Sequence, residues 1–178
     1  MPRGLQITVP LSAPEWAGAR ALLLDYAAAL GIDLCFQGFA GELERLPAEY
    51  GPPDGAFLLA QLDGQPVDCI ALRPFDAGRG EVKRLYVADS VRGRGIGRAL
   101  AVAIIGRARA LSYRQLVLDT LESMVSAQAL YRSLGFRPVA AYRFNPLPGV
   151  AYLGLELAPG PVDDGPRPPR ADAAGSNE

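Results

Sequence analysis

Residues 91–100 read VRGRGIGRAL, which places three glycines and three arginines where a strand gives way to a helix. Gly93, Gly95 and Gly97 weaken any regular element they occupy. Just ahead of a helix that begins near Ile96, they let the backbone approach a ligand closely and turn its N–H groups into a concave anion nest. The first helical turn contributes unpaired N–H groups with a partial positive charge, and Arg92, Arg94 and Arg98 contribute formal charge. Charge-assisted bonds of this kind are worth about 1.5–3 kcal/mol each. Several together suit a diphosphate. The common nucleotide loops do not fit: GxxxxGK[ST] is missing, and GxGxxG demands a third glycine where Arg98 or Leu100 stands.

The rest of the composition narrows the chemistry. Histidine is absent, which excludes Ser-His-Asp triads, HExxH zinc sites and Cys-His pairs, and leaves proton transfer to carboxylates, tyrosine, lysine, cysteine or water. Cys35 and Cys69 stand in no CxxC or metal-ligand spacing, so they read as reduced, core-facing thiols and no metal is expected. The formal charge is −1; Asp163, Asp164, Asp172 and Glu178 outweigh Arg167 and Arg170 by two, so residues 1–158 stand near +1. A chain this close to neutral has no global field to recruit nucleic acid or membrane, and its anion site must be local. RNA binding through RGRG is disfavoured on the same ground. With neither a signal-peptide core nor an apolar run long enough to span a bilayer, a cytoplasmic protein is expected.

The elements that must position the nest follow from periodicity. LQITV (5–9) reads as a strand, and PEWAGARALLLDYAAAL as a helix with residues 19, 22, 23, 26 and 30 on one stripe. GFAGELERLPAEY reads as a short helix that ends before Pro47. AFLLAQL and PVDCIALRP form a hairpin about Asp63 and Gly64, which supply the positive φ of a tight reversal. EVKRLYVA (81–88) is a strand whose alternation groups Val82, Arg84 and Tyr86 against Glu81, Lys83, Leu85 and Val87. Ile96, Leu100, Ile104, Ala108 and Leu111 recur at helical spacing, and RQLVLDT (114–120) follows as a strand. Strand, crossover helix and strand predict a right-handed unit with parallel strands. MVSAQALYRSLGF (124–136) is a last helix capped at Gly135, and PVAAYRF and VAYLGLEL make a final pair of strands. Residues 1–158 are expected to form a single domain, and residues 159–178, with little to bury, a disordered tail.

The run EVKRLYVADSVRGRGIGRAL, followed by LDTLESMVSAQALYRSLGF, resembles the GNAT superfamily of acyl-CoA-dependent N-acetyltransferases. Arg92, Gly95 and Gly97 match its [QR]-x-x-G-x-[GA] signature; Ala127, Leu130, Tyr131, Gly135 and Phe136 match A-x-x-L-Y-x-x-x-G-F. The resemblance implies an α/β fold: a mixed, mostly antiparallel sheet of about seven strands flanked by four helices, with strands 4 and 5 parallel and splayed. It implies acetyl-CoA as co-substrate, with the diphosphate on Gly93, Arg94, Gly95, Ile96, Gly97 and Arg98 beside Arg92. The pantetheine arm would pair along Leu85, Tyr86 and Val87 as an added strand and end near Ala127 and Tyr131. Tyr131 matches the tyrosine that hydrogen-bonds or protonates the departing thiolate, and Glu81 the position of a general-base glutamate. Met124 stands where many relatives carry asparagine.

The implied reaction is direct acetyl transfer to the primary amine of a small molecule. A lysine-like amine at pKa ~10.4 costs about 4.6 kcal/mol to deprotonate at neutral pH, an α-amino group near 8 about 1.4 kcal/mol. Phe36, Tyr142 and Arg143 are expected to line the acceptor pocket, with Arg143 suited to a carboxylate. Acetylation of a protein or peptide amine, and acyl-CoA binding without turnover, are the alternatives. The oligomeric state is open, a homodimer included.

Overall fold

In the computed structural model, residues 4–30, 38–87 and 91–158 are described. Strands β1 (Leu5–Thr8), β2 (Ala56–Leu62), β3 (Gln65–Asp76) and β4 (Arg79–Val87) are joined in an antiparallel meander. Its central reversal uses Asp63 at φ 51° and Gly64 at φ 80°, the left-handed pair that the sequence predicts. Helix α4 (Ile96–Ala110) then crosses over to β5 (Gln115–Leu121), which pairs parallel to β4. Helix α5 (Val125–Ser133) leads to β6 (Arg137–Pro138) and β7 (Val150–Glu156), which close a seven-stranded sheet of order β1-β2-β3-β4-β5-β7-β6. This is the mixed, mostly antiparallel α/β architecture expected.

Each sheet face carries its own core, because successive strand residues point to opposite sides. Leu58 and Ala60 of β2, Ile70 and Leu72 of β3 and Leu116 of β5 pack under Ile96, Leu100 and Ile104 of α4 and Tyr131 of α5. Phe57, Leu59, Cys69 and Ala71 point the other way, toward helices α1 (Ala13–Leu30), α2 (Phe39–Glu44) and α3 (Leu46–Tyr50). Helix α1 is fixed at its start by a capping box in which the Glu15 carboxylate accepts from the N–H groups of Leu11 and Ser12 at 2.9 and 2.8 Å. Cys69 is a buried, unpaired thiol, as read from the sequence, whereas Cys35 lies outside the described residues.

Three local expectations are corrected. The stretch read as one helix ending before Pro47 is two, so the described residues hold five helices rather than four. Pro47 sits in the first turn of α3, where the missing N–H would have had no helical partner. The strand expected over 138–144 is limited to Arg137–Pro138, with one further rung from the Val139 N–H to the Tyr152 carbonyl. Tyr142 and Arg143 leave the ladder because their side chains bind Glu81 instead.

The simple alternation expected along β4 is broken by a bulge. On β3, Cys69 and Ala71 are two apart, but their partners Tyr86 and Lys83 are three apart, and Arg84 in this bulge has φ 60°. The extra residue reverses the phase. Val82, Leu85 and Val87 therefore share the α4 side, and Tyr86 faces α1, where its ring meets Tyr26 edge-on at 5.8 Å. The bulged region of β4 is also where its neighbour departs. Pairing with β5 comprises Arg79↔Gln115, Gly80↔Leu116 and Glu81↔Val117 and stops there, although β4 continues to Val87 and β5 to Leu121.

Candidate active site

The opening between β4 and β5 has two walls of different construction. On the α4 side, Gly93 and Gly95 stand at φ 76° and 78°, and a Cβ built on either meets no atom within 4 Å. They form an exposed, open cradle in a conformation that other residues adopt only with strain. Gly95 is also the N-cap of α4, so the first helical N–H groups face the same space. Gly97 serves packing: a Cβ there would stand 3.1 Å from Val87, so its absence lets the helix start lie against β4. Arg92 donates to the Val87 carbonyl at 3.2 Å and Arg98 to Ser133 at 2.7 Å, which ties the nest to the strand and to α5. The cradle and the unpaired edge of β4 fit acetyl-CoA: Gly93–Gly97 would hold the diphosphate and Leu85–Val87 the arm, and the thioester would supply the activated acetyl group.

Tyr131 comes from α5 into the core below this cleft, 6% exposed, with its ring edge-on to Phe136 at 5.2 Å. Burial, reinforced by Tyr26 and Asp68, pushes its phenol well above the usual range. Such a phenol keeps its proton and is suited to donate a hydrogen bond rather than to give the proton away. Ala127 lies one turn earlier on the same helix, packed on the same core.

The opposite wall is a buried charge cluster. Glu81 is 1% exposed; one of its oxygens accepts from Arg143 at 2.6 Å and from the Tyr142 hydroxyl at 3.1 Å, the other from Arg73 at 3.0 Å. The Lys83 ammonium lies 3.9 Å away. Burial pushes the Glu81 pKa up, but Lys83, Arg143 and Arg73 outweigh it and hold the group below the ordinary carboxylate value. A carboxylate held in this way binds a further proton weakly. Burial likewise pushes the Lys83 amine down, against the pull of Glu81, to about 8. Behind them Arg84 forms a two-pronged pair with Glu42 of α2, at 2.8 and 2.6 Å, and its guanidinium covers the Phe39 ring at 5.0 Å. On β5, Asp119 accepts from Asn145 at 2.8 Å.

The structure thus brings Glu81, Tyr142 and Arg143 into one contact group, while Phe36 lies outside the described residues. Sequence reasoning missed Lys83, Arg73, Asp119 and the Arg84–Glu42 pair. Arg84 and Glu42 are 42 residues apart and join elements whose packing no local pattern announces. The lysine does carry a signal in composition: it is the one lysine beside 17 arginines. Among the described residues, no group of three or more His, Cys, Asp or Glu could hold a metal, and no helix is long and apolar enough to cross a membrane.

A loop-to-helix glycine cradle beside a parted parallel strand pair is the arrangement expected of one class of protein, the acyl-CoA-dependent N-acetyltransferases. Residues 23–136 match the model of the acetyltransferase (GNAT) family, and the chain belongs to that family. It is 39% identical over 141 residues, 78% of this chain and 86% of the relative, to an uncharacterized N-acetyltransferase of Schizosaccharomyces pombe. It is 37% identical over 100 residues to the N-acetylaspartate synthetase of Rattus norvegicus, covering 56% of this chain and 33% of that one. Among solved structures, an acetyltransferase from Streptococcus agalactiae shares the fold with a TM-score of 0.73 at 22% identity, over 87% of this chain and 99% of that chain. A GNAT family acetyltransferase from Elizabethkingia anophelis with acetyl-CoA bound aligns with a TM-score of 0.56 at 18% identity, over 88% of this chain and 100% of that chain.

Proposed function

We propose that this N-acetyltransferase transfers an acetyl group from acetyl-CoA to the primary amine of a small molecule, by direct attack with both substrates bound. The observation that carries this reading is the parting of β4 from β5 beyond Glu81↔Val117, next to the left-handed glycine N-cap of α4. The unpaired edge of β4 can take an amide-bearing arm as an added strand. Tyr131 donates a hydrogen bond where negative charge gathers on the departing sulfur. On the other wall the Glu81 cluster receives the proton that the acceptor must lose.

Acceptor size and charge follow from the same wall. Tyr142 packs edge-on against Phe75 at 4.9 Å and Tyr152 at 5.5 Å, which makes a firm aromatic side to the pocket, and Arg143 is 26% exposed. A compact amine that carries a carboxylate for Arg143 is the best match, in keeping with a relative whose name gives N-acetylaspartate as its product. The test is release of coenzyme thiol from acetyl-CoA with a panel of small amines, matched amines lacking the carboxylate, and N-terminal peptides. Small carboxylated amines are expected to react best, and Tyr131→Phe to lower kcat roughly 10²-fold. Peptides as the best substrates, or no thiol release with any amine, would contradict the reading.

A further inference from the structure

The chain has 18 lysines and arginines, of which 17 are arginine and one, Lys83, is lysine. Everywhere else that this protein needs a cation it uses a guanidinium, which keeps its proton at any working pH. The one side-chain amine, which can lose a proton where the guanidiniums cannot, is buried at the candidate active site, 7% exposed, on the wall opposite Tyr131. Its position on β4 is two residues beyond the last pairing with β5. An arm running from the nest along Val87 to Leu85 would end beside it.

We propose that Lys83, rather than Glu81, takes the proton from the acceptor's ammonium, with Glu81 setting how tightly that proton is held; this rests on the acetyl-transfer reading above. Glu81 already receives bonds from Arg73, Arg143 and Tyr142, so its lone pairs are committed. Lys83 is surrounded by charges of both signs: Glu81 and Arg84 on β4, Asp119 on β5, Arg143 on the 139–149 connection and Glu42 on α2, with Arg73 of β3 held on Glu81. Burial offsets the attraction of the carboxylates and leaves the amine near 8, where a base for this step works best. Neutral Lys83 removes one proton from the ammonium, and the freed nitrogen lone pair forms the new C–N bond to the acetyl carbon. The C–S bond breaks, the second proton lost by that nitrogen ends on the coenzyme sulfur, and Lys83 discharges its proton to solvent.

A single lysine makes the test direct. In protein labelled with 15N at the lysine Nζ, one side-chain signal is expected to titrate near pH 8, against about 10.4 for an ordinary lysine. Glu81→Gln removes the charge that favours the ammonium, so the midpoint should fall, and the acid limb of the kcat–pH profile should fall with it while turnover at neutral pH persists. Lys83→Arg keeps the charge but cannot release a proton, and should lower kcat by roughly 10²–10⁴-fold. An ordinary Lys83 midpoint, a rate limb that stays while the lysine midpoint moves, or abolition of activity at every pH by Glu81→Gln would each overturn the assignment. If Lys83→Arg does not fold, the labelled unmodified chain and Glu81→Gln decide the matter. Turnover that Lys83→Arg leaves intact overturns the assignment alone, whereas no turnover by the unmodified chain with any amine overturns the acetyl-transfer reading along with it.

Discussion

The two walls of the cleft reach the same end, a fixed electrostatic surface, by opposite means. The proposed donor wall is built from backbone: exposed glycines at φ 76° and 78°, a helix N-terminus, and arginines at the rim. The proposed acceptor wall is built from buried side chains contributed by α2, β3, β4 and the connection before β7. Backbone recognition is contiguous in the chain and loses little when one residue changes. A buried side-chain cluster balances desolvation against pairing, so removal of one member leaves an uncompensated charge.

The difference predicts a ranking of effects. Arg84→Ala leaves Glu42 buried beneath the sheet without its two bonds at 2.8 and 2.6 Å, and should cost about 3–5 kcal/mol of stability, read from urea unfolding. A loss below about 1 kcal/mol would show that this wall is far wetter than its burial indicates. Asp68, on the α4 side of β3, is buried with no charged partner among the described residues, and burial pushes its pKa up to about 8 against the weaker opposing pull of the Cys69 N–H. Its folded pKa lies above the unfolded value, so its contribution to stability is full below about pH 4 and is lost as pH rises through 8. Thermal midpoints of the unmodified chain should therefore decline across that window, and Asp68→Asn should flatten the curve. The donor wall should respond less. Gly95→Val places a β-branched residue at φ 78° in open space, with a strain of about 1–2 kcal/mol and roughly tenfold weaker acetyl-CoA binding. Arg98→Gln, on an exposed side chain, should weaken binding only a few-fold, and less at high salt.

The same contrast explains what could be read in advance. The nest, its helix and the A-x-x-L-Y-x-x-x-G-F run are local patterns, and their geometry follows from glycine conformations and helical spacing. The parallel pairing of β4 with β5 follows from the crossover helix between them. The bulge at Arg84 has no such signal: it arises from the register between β3 and β4, and it reverses the faces on which Leu85, Tyr86 and Val87 lie. Tyr142 and Arg143 sit in a stretch of strand-like composition, but two bonds to Glu81 draw them out of the ladder. Long-range ion pairs decide such positions, and alternation cannot show them.

The central claim is that the backbone nest at Gly93–Gly97 holds the donor independently of the charged wall across the cleft. Calorimetric titration of acetyl-CoA into the unmodified chain, Gly95→Val and Lys83→Arg tests it most directly. Saturable binding at one site per chain is expected, about tenfold weaker in Gly95→Val and unchanged in Lys83→Arg. No saturable heat in the unmodified chain, or binding that survives the change at Gly95 but is lost with Lys83, would contradict it.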